Sequence, residues 1–557
     1  MAEINEVIAR NISSLTEVNV KYDSLVRLIK KPKNGKGDLS LPCFEISKDP
    51  VNLAKIIEKE ASFPKEIRLA KAQGPYVNFF YNDSYLVETV LEEIINSGEE
   101  YGKSSIGNGK TIVLDYSGPN HGKPLHVGHI RSTIIGDSLI NLLKFTGHNT
   151  IGINYIGDAG LHIGKIIVAL DLWGDQSKLQ SDPEGAILDL YVRFNQEEKN
   201  DDQLKKLAEK AIRDIENGNP KALEKLAQIR EVSNNLLDRI YSLLDIQFDI
   251  TTGQSHFSDI GKKIVQDALD KSIAYKREDG TVFIELEQYK LPKKALLRHD
   301  GTAVYSTQDL GAALDRWNNF KFDKMIYVVG DTQKLYFQQI FKTLEILGYI
   351  WSKDCKHVGF GLITLPEGKM ATREGNIVHL EKLLLKAISK SKDLLDEKNP
   401  DIENKDELAK TIGISAVKYA FLSVDREKDV KFDWNNTLSF DGNSAPYIQY
   451  AYVRALKIIG EHDPNKRSSG QINRYERDLI IKLSEFPAAI RDTIEEYKPN
   501  ILCNYTFELA STFNKFYREC KVLNSENQSL RMKIVDATVK VLKNSCYLIG
   551  IKLPDKM

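Results

Sequence analysis

The chain has 557 residues, too many for a single hydrophobic core, so two to four domains are expected. Its 42% apolar and 28% charged residues are those of a soluble globular protein, and a formal net charge of −1 excludes a global polybasic footprint, so any contact with nucleic acid must come from local patches. Five scattered cysteines without a CxxC argue for free thiols in a reducing compartment and against structural zinc, no apolar run reaches a membrane span, and the acid-bearing N-terminus has neither signal- nor transit-peptide character.

Residues 1–105 read as a small α/β module. An early helix is followed by a basic loop, with Lys30, Lys31, Lys33 and Lys36 around Pro32 and Gly35. Such a loop suits a phosphate backbone and equally a solvated turn. GPYVNFFYN at 74–82 is an aromatic strand in which Tyr76 and Asn78 share a face, able to stack on and hydrogen-bond a splayed base. Phe79 and Phe80 suit sheet packing better.

Residues 111–147 have three parts. Thr111 to Tyr116 is a β-branched, apolar strand, and Ser117 to Lys123 is a turn-rich loop. From about His129 a helix runs, with Ile130, Ile134, Leu139 and Leu142 near helical spacing and Gly147 as its stop. A strand feeding a glycine-containing loop onto a helix N-terminus makes an anion site. His126, Gly128 and His129 sit at that corner, with Lys123 three residues upstream. Two imidazoles there can donate to phosphate oxygens, Gly128 leaves room for a flat base, and Lys123 adds positive charge. The set suits stabilisation of a phosphorus centre as charge builds on it. It lacks the i, i+4 histidines and glutamate of a zinc helix.

A second strand, Thr150–Tyr155, leads into GDAGLHIGK, a turn in which ligand can approach backbone. Residues 171–245 are a highly charged helical insertion whose lysine and glutamate mixture reads as a solvated face. The α/β pattern then resumes. Tyr305 and Asp309 stand at i, i+4 on one helix face, residues 325–340 form a strand turning at Gly330 with Gln333 at the next helix start, and 357–363 is another strand. Alternating strands and helices predict a doubly wound, parallel, Rossmann-type sheet with ligand at its carboxyl ends. GKMATREG at 368–375 places Lys369 and Arg373 in a polar loop 243 positions after His126, a gap suited to two halves of one split nucleotide fold. From about 410 the pattern is all-helical. Tyr447, Tyr450, Tyr452 and Arg454 offer stacking and charge, with at least half of the tyrosines expected in the core.

His-Val-Gly-His at 126–129 resembles the HIGH signature of class I aminoacyl-tRNA synthetases, and GKMATREG resembles their KMSKS loop, with Thr372 at the place of the second lysine. The longer string from Asp115 to Thr133, SAPYIQY at 444–450, NYTFELASTFNKFYREC and the terminal LPDKM resemble the arginyl-tRNA synthetase family over nearly the whole chain. The resemblance implies ATP-dependent activation of L-arginine and its transfer to the 3′-terminal ribose of tRNA(Arg), with Mg2+ bound with ATP and no separate metal site. It implies a cytoplasmic monomer that activates arginine only with tRNA bound.

It further implies a tRNA-binding module over 1–105 that reads the D-loop through Tyr76 and Asn78. A catalytic domain would span 106–380, with its insertion at about 171–250 beside the acceptor end. A connecting helical segment over 381–438 and a helical anticodon-binding domain over 439–557, contacting tRNA through Tyr450 and Arg454, would follow. Position by position, Lys123, His126, His129 and Lys369 would serve catalysis, Lys123 standing in for the missing second lysine. His126, Gly128, His129, Lys369, Met370 and Arg373 would bind ATP. Asp115, Ser117, Asn120, His126, Tyr305, Asp309 and Gln333 would bind arginine. A guanidinium is a planar fork that a carboxylate accepts bidentately, which suits Asp115 and Asp309, while the amides of Asn120 and Gln333 suit the α-amino or carboxylate end. The family usually has glutamine where His162 stands. Two rival readings are a superfamily relative with another substrate and a non-catalytic tRNA scaffold. The acids with Tyr305 and the helical C-terminus speak against a small nucleotidyltransferase, and intact His126, His129 and Lys369 against a scaffold.

Overall fold

Five parallel strands carry the centre of the molecule in this computed structural model, which describes residues 2–16, 18, 20–32, 36–364, 379–460 and 471–557. They are β1 (Thr111–Asp115), β2 (Asn149–Ile156), β3 (Ile250–Gly253), β4 (Lys324–Gly330) and β5 (Cys355–Phe360). Their order across the sheet is β5-β4-β1-β2-β3, and every pairing is parallel. The chain builds outward from β1 to β3, then returns to lay β4 on the other side of β1. The strand order therefore reverses between β1 and β4, where an open α/β sheet leaves a crevice at its carboxyl edge. In register, Asp115 at the end of β1 faces Tyr327 on β4 and Ile153 on β2. The doubly wound expectation holds.

Helix α1 (Val127–Phe145) follows β1. It starts two residues before the apolar spacing suggests, because His126 acts as its N-cap. Both faces are covered, so its apolar periodicity is weak. Gly136 allows the close approach: a Cβ there would fall 2.2 Å from the Tyr116 ring. Arg131 is carried into this packing fully buried, where it donates to the carbonyls of Gly361 and Lys428, each at 2.8 Å. Helices α2 (Leu161–Trp173), α3 (Tyr305–Phe320) and α4 (Lys334–Ile346) follow β2, precede β4 and follow β4 respectively. A three-stranded antiparallel sheet, Ala274–Lys276, Val282–Ile284 and Lys294–Leu297, was not visible in the pattern, since its strands are too short to show a period.

The charged insertion forms helices Gln176–Ser181, Pro183–Glu197, Asp202–Glu216 and Pro220–Leu244. It is solvated on one side only. Phe194, Leu204, Ala208 and Ile229 pack with Ile163 and Ile166 of α2 into a separate core.

Near the N-terminus, Tyr76–Tyr81 is the middle strand of an antiparallel sheet, between Leu39–Pro42 and Ile67–Gln73. The C-terminal part is all helical, from Ala445–Gly460 to Gln528–Leu548. The two ends of the chain meet through Arg477. Its guanidinium grips Asp38 with two bonds, at 2.8 and 2.6 Å, while its Nε donates to Asp83 at 2.9 Å. Asp38 is largely shielded, at 9% side-chain exposure. Removing one partner of such a pair strands the other without water. Arg477→Ala should therefore lower unfolding stability by about 3 kcal/mol in a denaturant titration. A loss below about 0.5 kcal/mol, the size of an exposed pair, would show that this contact does not hold the two ends together.

Candidate functional site at the carboxyl edge of the sheet

The site begins with a strained residue. Ser117, just after β1, has φ +73°, a left-handed conformation uncommon outside glycine. Its N–H donates to Ser132 Oγ of α1 at 2.9 Å, and Ser132 Oγ donates to the Val328 carbonyl of β4 at 2.6 Å. One serine thus ties β1, α1 and β4 together at the reversal point. The Ser117 hydroxyl is buried and engaged by Tyr241 at 2.8 Å and Thr133 at 2.9 Å. Here it serves the loop's own scaffold.

Tyr241 belongs to the insertion helix Pro220–Leu244, which clamps the rest of the loop as well. Ser233 Oγ accepts from the Gly122 N–H, and Asn234 bonds the His121 ring, both at 2.9 Å. The charge mixture of that helix pointed to a solvated face, and it concealed Ser233, Asn234 and Tyr241. Asn120 lies against the end of β2, where a Cβ at Gly157 would come 2.1 Å from its Oδ1.

The His126 and His129 rings lie tilted against each other by 40°, with centroids 4.0 Å apart. The Gly128 N–H donates to His126 Nδ1 at 3.1 Å, which leaves the proton on Nε2. A Cβ at residue 128 would fall 2.8 Å from the His126 ring, so glycine permits this cap. Burial, with the Lys123 charge adding, lowers His126 to about 4. Burial, then the neighbouring His126, lowers His129 to about 3. Both rings are neutral at pH 7 and act as hydrogen-bonding groups rather than cations. Positive charge comes from Lys123, whose ammonium lies 4.9 Å over the Tyr191 ring, and from the amide end of α1. His162 is lowered to about 3 by burial and bonds the Gly157 carbonyl at 3.2 Å. Lys369, Met370 and Arg373 lie outside the described residues.

Two acids, Asp115 and Asp309, come close at the end of β1 and form the candidate acidic pocket. Asp115 is buried and paired with Arg316 of α3 at 2.8 Å. Asp309, two turns earlier on α3, accepts from the Tyr336 hydroxyl of α4. Burial raises Asp309 to about 6 against that bond, and the nearby Asp115 charge adds to the rise. Tyr305 opens α3 half-exposed and reaches the GDAG turn, where a Cβ at Gly160 would lie 3.4 Å from its hydroxyl. Gln333 ends the short turn between β4 and α4 with its side chain exposed. Arg316, Tyr155, Tyr327 and Tyr336 escaped the sequence reading. Arg316 had one available signal: at i+7 from Asp309 it shares that residue's helix face.

The residues expected to touch tRNA divide. Tyr76 is 41% exposed and meets Phe44 edge-on, with ring centroids 5.5 Å apart. Asn78 is only 5% exposed, because the backbone at Gly37 covers it, so it belongs to the sheet rather than to an open face. Tyr450 is 42% exposed. The Arg454 guanidinium lies between the rings of Tyr450 and Tyr517, 4.6 Å from each centroid, and bonds Asn514 at 2.6 Å. Tyr452 is in the core.

Residues 90–434 match the family described as tRNA synthetases class I (R), catalytic domain, and residues 448–557 match the DALR anticodon binding domain. The arginine–tRNA ligase of Clostridium beijerinckii is 38% identical, covering 97% of this chain and 98% of its own. That of Halothermothrix orenii is 39% identical over 99% of this chain and 98% of its own. Among solved structures, the arginyl-tRNA synthetase of Thermus thermophilus superposes with TM-score 0.84 at 22% identity, covering 100% of this chain and 99% of its own. That of Plasmodium falciparum gives 0.78 at 22% identity, over 100% and 98%.

A raised carboxyl accepts a cation only when ionised, so affinity is present above its pKa and lost as pH falls through it. Calorimetric affinity for L-arginine should therefore drop as pH is lowered through about 6, the value of Asp309. Asp309→Asn should weaken binding by about 2 kcal/mol or more and remove that step. A step of the same size and position in the variant would assign it to another group.

Proposed function

Because the chain belongs to the class I arginyl-tRNA synthetase family, we propose that its reaction runs in the crevice between β1 and β4, with the histidine corner on the nucleotide and the acidic pocket on the guanidinium. The enzyme is an arginine–tRNA ligase, which activates L-arginine with ATP and transfers it to tRNA(Arg). The observation that supports the assignment of residues is that two unlike environments are built on the elements meeting at the reversal point. Neutral donors and backbone amides lie at the start of α1, which follows β1. A partly buried carboxylate lies on α3, and its partner Tyr336 lies on α4, which follows β4.

In the first step the arginine carboxylate attacks the α-phosphorus and pyrophosphate leaves. In the second a terminal ribose hydroxyl takes the arginyl group. No covalent enzyme intermediate is required. The protein positions the reactants and stabilises developing charge. His126 and His129 donate to phosphate oxygens, and Lys123 supplies charge. By their place in the sequence, Lys369, Met370 and Arg373 join them. Mg2+ arrives as part of the nucleotide substrate; among the described residues no cluster of three or more His, Cys, Asp or Glu could hold a metal ion. Asp309, Asp115 and Tyr305 select the guanidinium. Asn120 and Gln333 face the α-amino and carboxylate end. Tyr76, Tyr450 and Arg454 face tRNA, in a module over 1–105 and a helical domain over 439–557.

The chain works as a cytoplasmic monomer in this reading; its free cysteines suit a reducing compartment. Among the described residues no helix is long and apolar enough to cross a membrane. His126→Ala should retain tRNA(Arg) binding and lose about 100-fold or more in pyrophosphate exchange, the loss typical of a removed donor to developing charge. Exchange at the unsubstituted rate would remove the phosphate role from His126. Activation is also assigned to the tRNA-bound enzyme, so exchange should vanish when tRNA is omitted; full exchange without it would refute that dependence.

A further inference from the structure

The floor of the acidic pocket already holds a guanidinium. Arg316 is 2% exposed. Its guanidinium lies 4.8 Å from the ring centroid of Tyr155 on β2 and 5.6 Å from that of Tyr327 on β4, with Asp115 of β1 at 2.8 Å. Three adjacent strands thus surround one arginine of the protein itself, two helical turns along α3 from the acid assigned to a substrate of the same chemistry. The Arg316 charge is paired with a carboxylate and set against two aromatic rings, although its Nε and Nη2 find no hydrogen-bond partner among the described residues.

Asp309 is differently placed. It has the Tyr336 hydroxyl and no ion pair among the described residues. The other groups facing it are Asp115, whose carboxyl burial raises against the pull of Arg316, Arg316 itself, the phenols Tyr155, Tyr327 and Tyr305, all neutral at pH 7, and Lys294. The Lys294 ammonium, on the strand Lys294–Leu297, sits 4.1 Å over the Tyr336 ring at the rim. The Cys355 thiol, beside Arg316, is pushed up to about 12 by burial and carries no charge.

We propose that Arg316 is a positioning residue for arginine selection: by pairing with Asp115 it neutralises one of the two pocket acids and leaves Asp309 as the carboxylate that meets the substrate guanidinium. The proposal rests on the reading of this pocket as the arginine site. It changes the division of labour within it, because Asp115 acts through Arg316 rather than as a second, equivalent acceptor. Without Arg316, two carboxylates would share a water-poor space and hold a proton between them, so the pocket would be ready for a cation only at higher pH. Without Asp115, Arg316 would become an uncompensated cation beside Asp309, favouring its ionised form while repelling the substrate.

The experiment is the pH profile of kcat/KM for arginine in tRNA-supported pyrophosphate exchange. In the unsubstituted enzyme the acid limb should lie near 6, the value of Asp309. Arg316→Gln should move that limb up by about one pH unit or more and raise KM for arginine about tenfold, with KM for ATP within about twofold. Asp115→Asn should move the limb in the opposite direction, down by about one unit. A purely structural ion pair would lower the melting temperature of both variants and leave the limb in place. An unmoved limb in Arg316→Gln overturns the proposal; if that variant does not fold, an unmoved or raised limb in Asp115→Asn does so. Asp309→Asn separates the two claims. If it leaves KM for arginine unchanged, the pocket itself is wrongly assigned, whatever Arg316 does. If it raises KM while the other limbs stay fixed, only the role of Arg316 fails.

Discussion

A carboxylate withdrawn from water without a fixed cation is a costly object, and the organisation of this enzyme's centre follows from keeping one. Asp309 sits partly buried with a phenol as its direct partner, and its acidity is displaced accordingly. Such a group is tolerated where an incoming cation completes it. The sheet supplies the place. At the reversal between β1 and β4 backbone cannot fill the crevice, so side chains from three strands and two helices can converge there without closing it.

The same crevice needs a second environment that suits a polyanion. The protein obtains it mostly without fixed charge. Burial keeps His126 and His129 neutral, and backbone amides at the start of α1 contribute their partial charges. Neutral donors do not compete for the neighbouring carboxylates as cations would. The geometry is held by Ser132, which links the strained Ser117 to the end of β4, and by the insertion helix, which fixes the loop through Ser233, Asn234 and Tyr241. An element that looks like a solvated appendage is therefore part of what sets the position of the phosphate loop.

Much of this was legible before any coordinates. Period and punctuation marked β1, β2, β4, β5 and the helices between them, because parallel strands buried on both faces are continuous apolar runs. The histidine corner was legible from its place after a strand at a helix start, whereas spacing put Tyr305 and Asp309 on one helix face and only the family resemblance gave them a role. What escaped has physical reasons. The small antiparallel sheet is made of strands too short to show a period. Arg316 has no sequence signal beyond the helix face it shares with Asp309, and only the fold shows that it turns inward to Asp115. Asn78 shares a strand face with Tyr76, but a period of two cannot reveal that a neighbouring loop covers one of the pair. Tyr155 and Tyr327 are core and Tyr336 packs against it partly buried, and strand or helix periodicity cannot tell such rings from walls of a site.

The central claim is that selection depends on the charge of a guanidinium meeting a carboxylate that is otherwise unpaired. Citrulline tests it directly, since it keeps the shape of arginine and replaces the cation with a neutral urea. Measured as kcat/KM in tRNA-supported exchange, arginine should be favoured over citrulline by about 10⁴-fold, the scale reached when a site's buried polar group is left unmatched. A preference of about tenfold or less, the size of a shape difference alone, would contradict the account.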